Sequence, residues 1–240
     1  MPSSPPALAE FFGRKVALPR WGKRNVWAAA QYIESQRHRN TLIAMMAEAF
    51  AAPVPPLPIH RYLASLPLPL IVDAWYDGAM RAALAGRSDW GEVQGITRAA
   101  IGEERWWRTY DAAGKSVGAE EASGWTTVLY KPHGSVVPDK NFLIADSDYV
   151  EVLTEIDIQT PIPPVIKERR TRVGFVFIGC RFDDQMLRTY ARQLSKRSAG
   201  PHYVLAEPGE MTRNERHFIE SQEMSLLRYP LASALERLAG

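Results

Sequence analysis

At 240 residues and 27.0 kDa, the chain has room for one sizeable domain or for a domain with an appended subdomain; its 46% hydrophobic and 23% charged residues exclude disordered and fibrous classes. A net charge of +2, from 29 Lys and Arg against 27 Asp and Glu, argues against a dedicated nucleic-acid binder, and the single cysteine, Cys180, excludes an internal disulfide or a cysteine-rich zinc knuckle. With no apolar run near the ~20 residues of a membrane helix, and no cationic apolar signal pattern from Met1 to Ala9, the expectation is a cytoplasmic protein without a membrane partner.

The first ten residues, with three prolines and two serines, read as a loose arm. From Asn25 to Phe50 the spacing is helical. Val26, Ala30 and Ile33 mark one helix; Leu42, Ile43, Met46, Ala47 and Phe50 mark a second, with Asn40 and Thr41 where its N-cap is needed. Residues 51–60 hold four prolines and form a connector, after which RYLASL is a short helix. Leu66 to Val72 is apolar, bounded by Pro, and short, which predicts a buried parallel strand. A helix starts in Asp77 to Leu84. The stretch 86–124, with Trp106-Trp107, Thr109-Tyr110 and the turn DAAGK, predicts a β-rich hairpin insertion. Trp125 to Tyr130 is a strand that ends in KPHGS, and Val173 to Ile178 is the clearest buried strand. Asp184 to Lys196 is a helix with Met186, Leu187, Tyr190, Ala191 and Leu194 on one face. His202 to Ala206 and Ser225 to Arg228 are strands, and a terminal helix covers Leu231 to Leu238.

Strands separated by helices imply an α/β fold: a Rossmann-like, mostly parallel sheet flanked by helices. An N-terminal helical segment with its Pro-rich connector occupies 1–60, and the sheet domain occupies 61–240. Ligands of such sheets bind outside the carboxyl ends of the strands. The loops there carry Asp73, Trp75 and Asp77, then His133 and Gly134, then Gly179, Cys180 and Asp183. His133 is a candidate general base, and Gly134 beside it lets a ligand or another backbone come close. The bland readings are a loop histidine bonded to backbone, aspartates acting as helix N-caps (Asp184 above all), and Cys180 as a small buried hydrophobe. The remaining histidines show no metal-ligand spacing, so no metal is expected. The first 40 residues hold seven Arg or Lys against two Glu; with Trp21 and Trp27 they offer either a solvated helix face or a partner-binding face.

In order, PLPLIVDAWYD, VLYKPHGSVVPDKNFLIADSDY, VGFVFIGCRFDDQML and HYVLAEPGEMTRNERHFIESQEMSLLRYP are similar to the blocks of the bacterial sirtuin-like (silent-information-regulator-like) domain family, from about His60 to Tyr229. KPHGS stands where that family has Lys-x-His-Gly, and FIGCRFDD where it has Phe-x-Gly-x-Ser-x-x-Asp. The resemblance implies a Rossmann-like NAD-binding domain. His133 stands at the position that promotes attack on the cleaved nicotinamide ribose, and Gly179 at the position beside the nucleotide. The family's Thr-Thr-Asn-Tyr/Trp-Asp reads here as Asp73-Ala74-Trp75-Tyr76-Asp77, with Trp75 in place of the asparagine that positions water and nicotinamide. No Gly-Ala-Gly-x-Ser phosphate loop is found before His60, and with one cysteine there is no zinc ribbon.

Two functions follow. One is a degenerate sirtuin-like binding or regulatory module, a pseudoenzyme without deacetylase activity, with a protein partner or a second copy as its target. The other is an NAD-consuming glycohydrolase or ADP-ribosyl transferase with His133 as base. Another nucleotide or a nucleic-acid end in the same cleft is a weaker third.

Overall fold

The computed structural model describes residues 1–97, 106–149, 162–207, 209 and 211–239. The chain does not begin as a loose arm. Helix α1 spans Pro5–Lys15: Ser4 Oγ accepts from Ala7 N at 3.4 Å, and the prolines occupy the first turn, where no intrahelical N–H is required. Leu8, Ala9 and Phe12 hold this helix on the core. Asn25 caps α2 (Val26–Arg37), its Oδ1 accepting from Ala28 N at 3.0 Å. Helix α3 (Arg39–Ala49) starts one residue before the expected cap. His38, at φ 70°, turns the chain between the two helices, and the Thr41 hydroxyl bonds back to the Arg37 carbonyl at 2.6 Å from inside α3. Helix α4 is Pro58–Ser65.

Strand β1 (Leu70–Val72) is followed by α5 (Ala79–Leu84), β2 (Trp90–Gly95), β3 (Trp107–Asp111), β4 (Ser116–Val117), a 3-10 turn at Ala119–Gly124, and β5 (Thr127–Lys131). These strands form one sheet in the order β1-β5-β2-β3-β4. Strand β5 lies parallel to both β1 and β2, whereas β3 and β4 are antiparallel additions. The DAAGK turn does close the β3–β4 hairpin, with Lys115 N bonded to Asp111 Oδ1 at 2.9 Å. That hairpin is not set apart: β2, also within 86–124, sits between β5 and β3 in the middle of the sheet. A small hairpin of β6 (Gly134–Ser135) and β7 (Asn141–Phe142) follows β5.

Next come α6 (Pro164–Arg170), β8 (Val176–Ile178), α7 (Gln185–Ser195), β9 (Tyr203–Ala206), α8 (Arg213–Ser221), β10 (Ser225–Arg228) and α9 (Leu231–Ala239). Here β8, β9 and β10 are all parallel, but they form their own three-stranded sheet. The fold is therefore α/β and mostly parallel, with its parallel pairs divided between two hydrogen-bonded sheets. Strand β8 ends its sheet, which explains why Val176 is 58% exposed although its neighbour Phe177 is buried.

Side chains alternate across β5 as strand geometry requires. Val128 and Tyr130 join the main core with the apolar faces of α1, α2 and α3; Leu129 joins Ile71, Met80, Leu84 and Trp90 on the other face. A separate cluster around Phe177, Phe182, Val204 and Phe218 supports the smaller sheet. Among the described residues no helix is long and apolar enough to cross a membrane.

Candidate functional site at the strand ends

Strands β1 and β5 run parallel with Val72 opposite Tyr130, so the loops Asp73–Asp77 and Lys131–Ser135 leave the sheet side by side. Lys131 joins them. Its side chain is 2% exposed, and its Nζ donates to Asp73 Oδ2 at 2.7 Å, to the Asp77 carbonyl at 2.9 Å and to the Trp75 carbonyl. Asp73 Oδ1 accepts from Trp75 N at 3.0 Å, and Asp77 Oδ1 accepts from Ala79 N at 2.8 Å at the entry to α5. Both aspartates are thus engaged in shaping their own loop. The Trp75 indole N–H donates to the Pro2 carbonyl at 3.1 Å, and its ring lies against Phe50 and Tyr76.

His133 is enclosed. It is 4% exposed, with Tyr190, Tyr149 and Trp27 around the ring at centroid distances of 4.8, 5.5 and 6.4 Å. Its Nδ1 lies 3.1 Å from Tyr149 Oη, and that hydroxyl is also 2.9 Å from the Leu143 carbonyl, an arrangement that suits a proton on Nδ1. Burial, reinforced by the Lys131 ammonium and only partly opposed by Asp73, pushes the imidazole down to about 4. His133 is therefore neutral at pH 7 and a weak base.

Gly134 does let another backbone come close, that of Asn141. At φ 78°, a Cβ would stand 2.1 Å from the Asn141 carbonyl oxygen, so its freedom is taken up by the β6–β7 hairpin. Trp27 is likewise core rather than surface; Trp21, 60% exposed against Tyr32, is the surface tryptophan of the N-terminal helices.

The third loop is built differently. Gly179 is exposed at φ 66°, and a Cβ there would meet nothing nearer than Leu231 Cδ1 at 3.9 Å. The Cys180 thiol is pushed up to about 11, first by burial and then by the Asp73 carboxylate, and it faces the Ile178 carbonyl at 3.7 Å. Asp183 accepts from Asp184 N at 3.1 Å, and Asp184 caps α7 through Met186 N at 2.7 Å. Burial, helped by the Asp184 carboxylate, raises Asp146. Asp73, Trp75, Asp77, His133 and Gly134 thus form one closed unit; Gly179, Cys180 and Asp183 form a second, more open one, where Arg181 and Arg188 lie beside Asp183. Among the described residues no group of three or more His, Cys, Asp or Glu converges in a metal-binding arrangement.

Several residues that build the unit give little signal on their own in the sequence: Lys131, Tyr149, Tyr190 and the ion pair Arg39–Asp148. Asp148 accepts from Arg39 Nη1 at 2.9 Å, Thr97 Oγ1 at 2.7 Å, and the backbone of Ile144 and Ala145, which fixes the tyrosine that follows it. The Lys of KPHGS and the Asp-Tyr pair after it were the available clue.

A family model described as the SIR2-like domain matches residues 69–227. No curated protein matches the chain.

Proposed function

The chain belongs to the SIR2-like domain family over residues 69–227, and from that premise we propose that it serves as a binding or regulatory module in which the strand-end machinery has been turned into structure. The family generally binds NAD. The described strand-end residues do not fit that nucleotide as a substrate. The observation that carries this reading is the enclosure of His133: its Nδ1 is held by Tyr149, its ring is covered by Tyr190 and Trp27, and its basicity is suppressed. Trp75 directs its only side-chain donor to Pro2.

A protein or a second copy of the chain is the target this reading favours. The turn between α1 and α2 exposes Arg20, Trp21, Lys23 and Arg24, an aromatic anchor ringed by cations of the kind enriched at interfaces. The test is nicotinamide release from NAD by the wild type, alongside calorimetric titration with NAD and ADP-ribose at millimolar concentration. The expected result is no release and no binding at the strand ends. Turnover that disappears in His133→Ala without a change in Tm would overturn the proposal in favour of an NAD-consuming enzyme.

A further inference from the structure

At the opposite, amino-terminal ends of the strands, positive charge collects without a counter-ion among the described residues. Helix α6 is anchored there by Arg169, whose guanidinium donates only to backbone carbonyls, among them Pro69 at 2.8 Å and Thr126 at 2.9 Å just before β1 and β5. Next to it Arg170 is 6% exposed, and its Nη1 donates to the Gln193 and Leu194 carbonyls in the last turn of α7. Its Nε is buried with no partner, and no bond is made by Nη2. Lys167 lies three residues earlier on α6 and therefore on the same face. Arg197 follows the end of α7 three residues after Leu194, held at φ 67° and exposed.

These cations sense one another. Lys167 is lowered by burial and then by Arg170 and Arg197; Arg170 is lowered by burial and then by Arg197. Among the described residues no carboxylate pairs with any of the three, and the nearest acid in sequence, Glu168, is exposed and acts on Arg169. A buried guanidinium is ordinarily matched by an anion; among the described residues this one is met by carbonyl dipoles and by the neutral Tyr130 phenol.

We propose that Lys167, Arg170 and Arg197 form a binding site for a phosphate group, free or carried as a phosphomonoester on a small molecule. Arg170 is the fixed element: its Nη1 is held by the carbonyls at the end of α7, and its Nη2, which makes no bond among the described residues, is the nitrogen left to meet a phosphate oxygen. Lys167 and Arg197 are the mobile elements that close on the remaining oxygens. The site stands apart from the strand-end loops and does not depend on them.

The test titrates the full chain with inorganic phosphate and with a nucleoside monophosphate, at ionic strength matched with chloride, and reads calorimetric heat and Tm. Phosphate is expected to bind with a Kd below about 1 mM and to raise Tm. The double variant Lys167→Ala/Arg197→Ala should bind at least about tenfold more weakly while keeping its ligand-free Tm, because neither side chain holds a bond in the fold. Equal affinity for the two ligands assigns the site to the phosphate group alone; tighter binding of the monophosphate assigns it to a phosphomonoester. Absence of a shift beyond the chloride control, or an equal shift in the double variant, overturns the proposal. So does tighter binding of a single-stranded oligonucleotide than of the mononucleotide, which would mark an extended polyanion surface. His133→Ala leaves this binding unchanged, and any NAD heat abolished by the double variant comes from this face, so the two proposals fail separately.

Discussion

The two ends of the parallel strands treat charge in opposite ways. At the carboxyl ends, the Lys131 ammonium has three acceptors, Asp73 and Asp77 each cap a backbone N–H, and His133 is kept neutral within a ring of aromatics. At the amino ends, Lys167, Arg170 and Arg197 converge, and no carboxylate among the described residues pairs with them. A polar group whose hydrogen-bonding capacity is met inside the fold is contributing to stability, whereas one left unmet points to something outside it. Unmet capacity exists on both sides, at Arg39 Nε beside Asp148 and at Arg170 Nε, but at the carboxyl ends it belongs to a paired cation and at the amino ends to one for which the described residues supply no carboxylate.

If that contrast is right, the largest losses of stability come from the closed unit. Lys131→Met removes the cation paired with Asp73, leaves the Trp75 carbonyl without its side-chain donor and leaves the Asp77 carbonyl with the Ser135 hydroxyl alone. Breaking a buried pair from one side costs about 3–5 kcal/mol, so urea denaturation should show a loss of that size. A loss under about 1 kcal/mol would mean that water replaces the ammonium readily and that the unit is an open site.

The second way to break the contrast is by pH. His133 titrates near 6.5 when unfolded and at about 4 in the fold. Between those values the unfolded chain binds the extra proton, so the stability contributed by the neutral imidazole is full above about pH 6.5 and is lost as pH falls toward 4. Chemical denaturation across that window should show a decline of up to about 3 kcal/mol in the wild type that is missing in His133→Gln. An identical decline in both proteins would place His133 in contact with solvent.

Much of this was legible in the sequence. The spacing of Met186, Leu187, Tyr190, Ala191 and Leu194 predicts α7, Asp184 predicts its cap, and Ser225–Arg228 is a strand as its apolar content suggests. What periodicity missed depends on partners distant in the chain. Strand β2 reads as polar because Glu92 and Gln94 are in it; both are buried, and they are satisfied by Arg81 at 2.7 Å, by each other and by the Val137 carbonyl. The opening prolines suggest an arm, yet at the first turn of a helix they remove no needed donor, and Phe12 then binds α1 to the core. His133 was visible as a residue, but its enclosure depends on Tyr149 and Tyr190, 16 and 57 positions away, and no local pattern announces that. The basic centre shows in KERRTR as a charged run, which ordinarily signals a solvated face; only the burial of Arg170 against the end of α7 distinguishes it.

The smallest expected effect probes the part of the carboxyl ends that is not closed. Gly179 and Gly134 both have positive φ, but a Cβ at Gly134 would strike the Asn141 carbonyl at 2.1 Å while one at Gly179 has 3.9 Å of clearance. Gly179→Ala therefore meets only the backbone cost of a left-handed conformation, about 1–2 kcal/mol, with no steric addition. A loss at the low end of that range by urea denaturation would confirm that the β8 loop is free of packing from the rest of the fold. A loss of 3 kcal/mol or more, as a clash of the Gly134 kind would give, would extend the closed unit to all three strand ends.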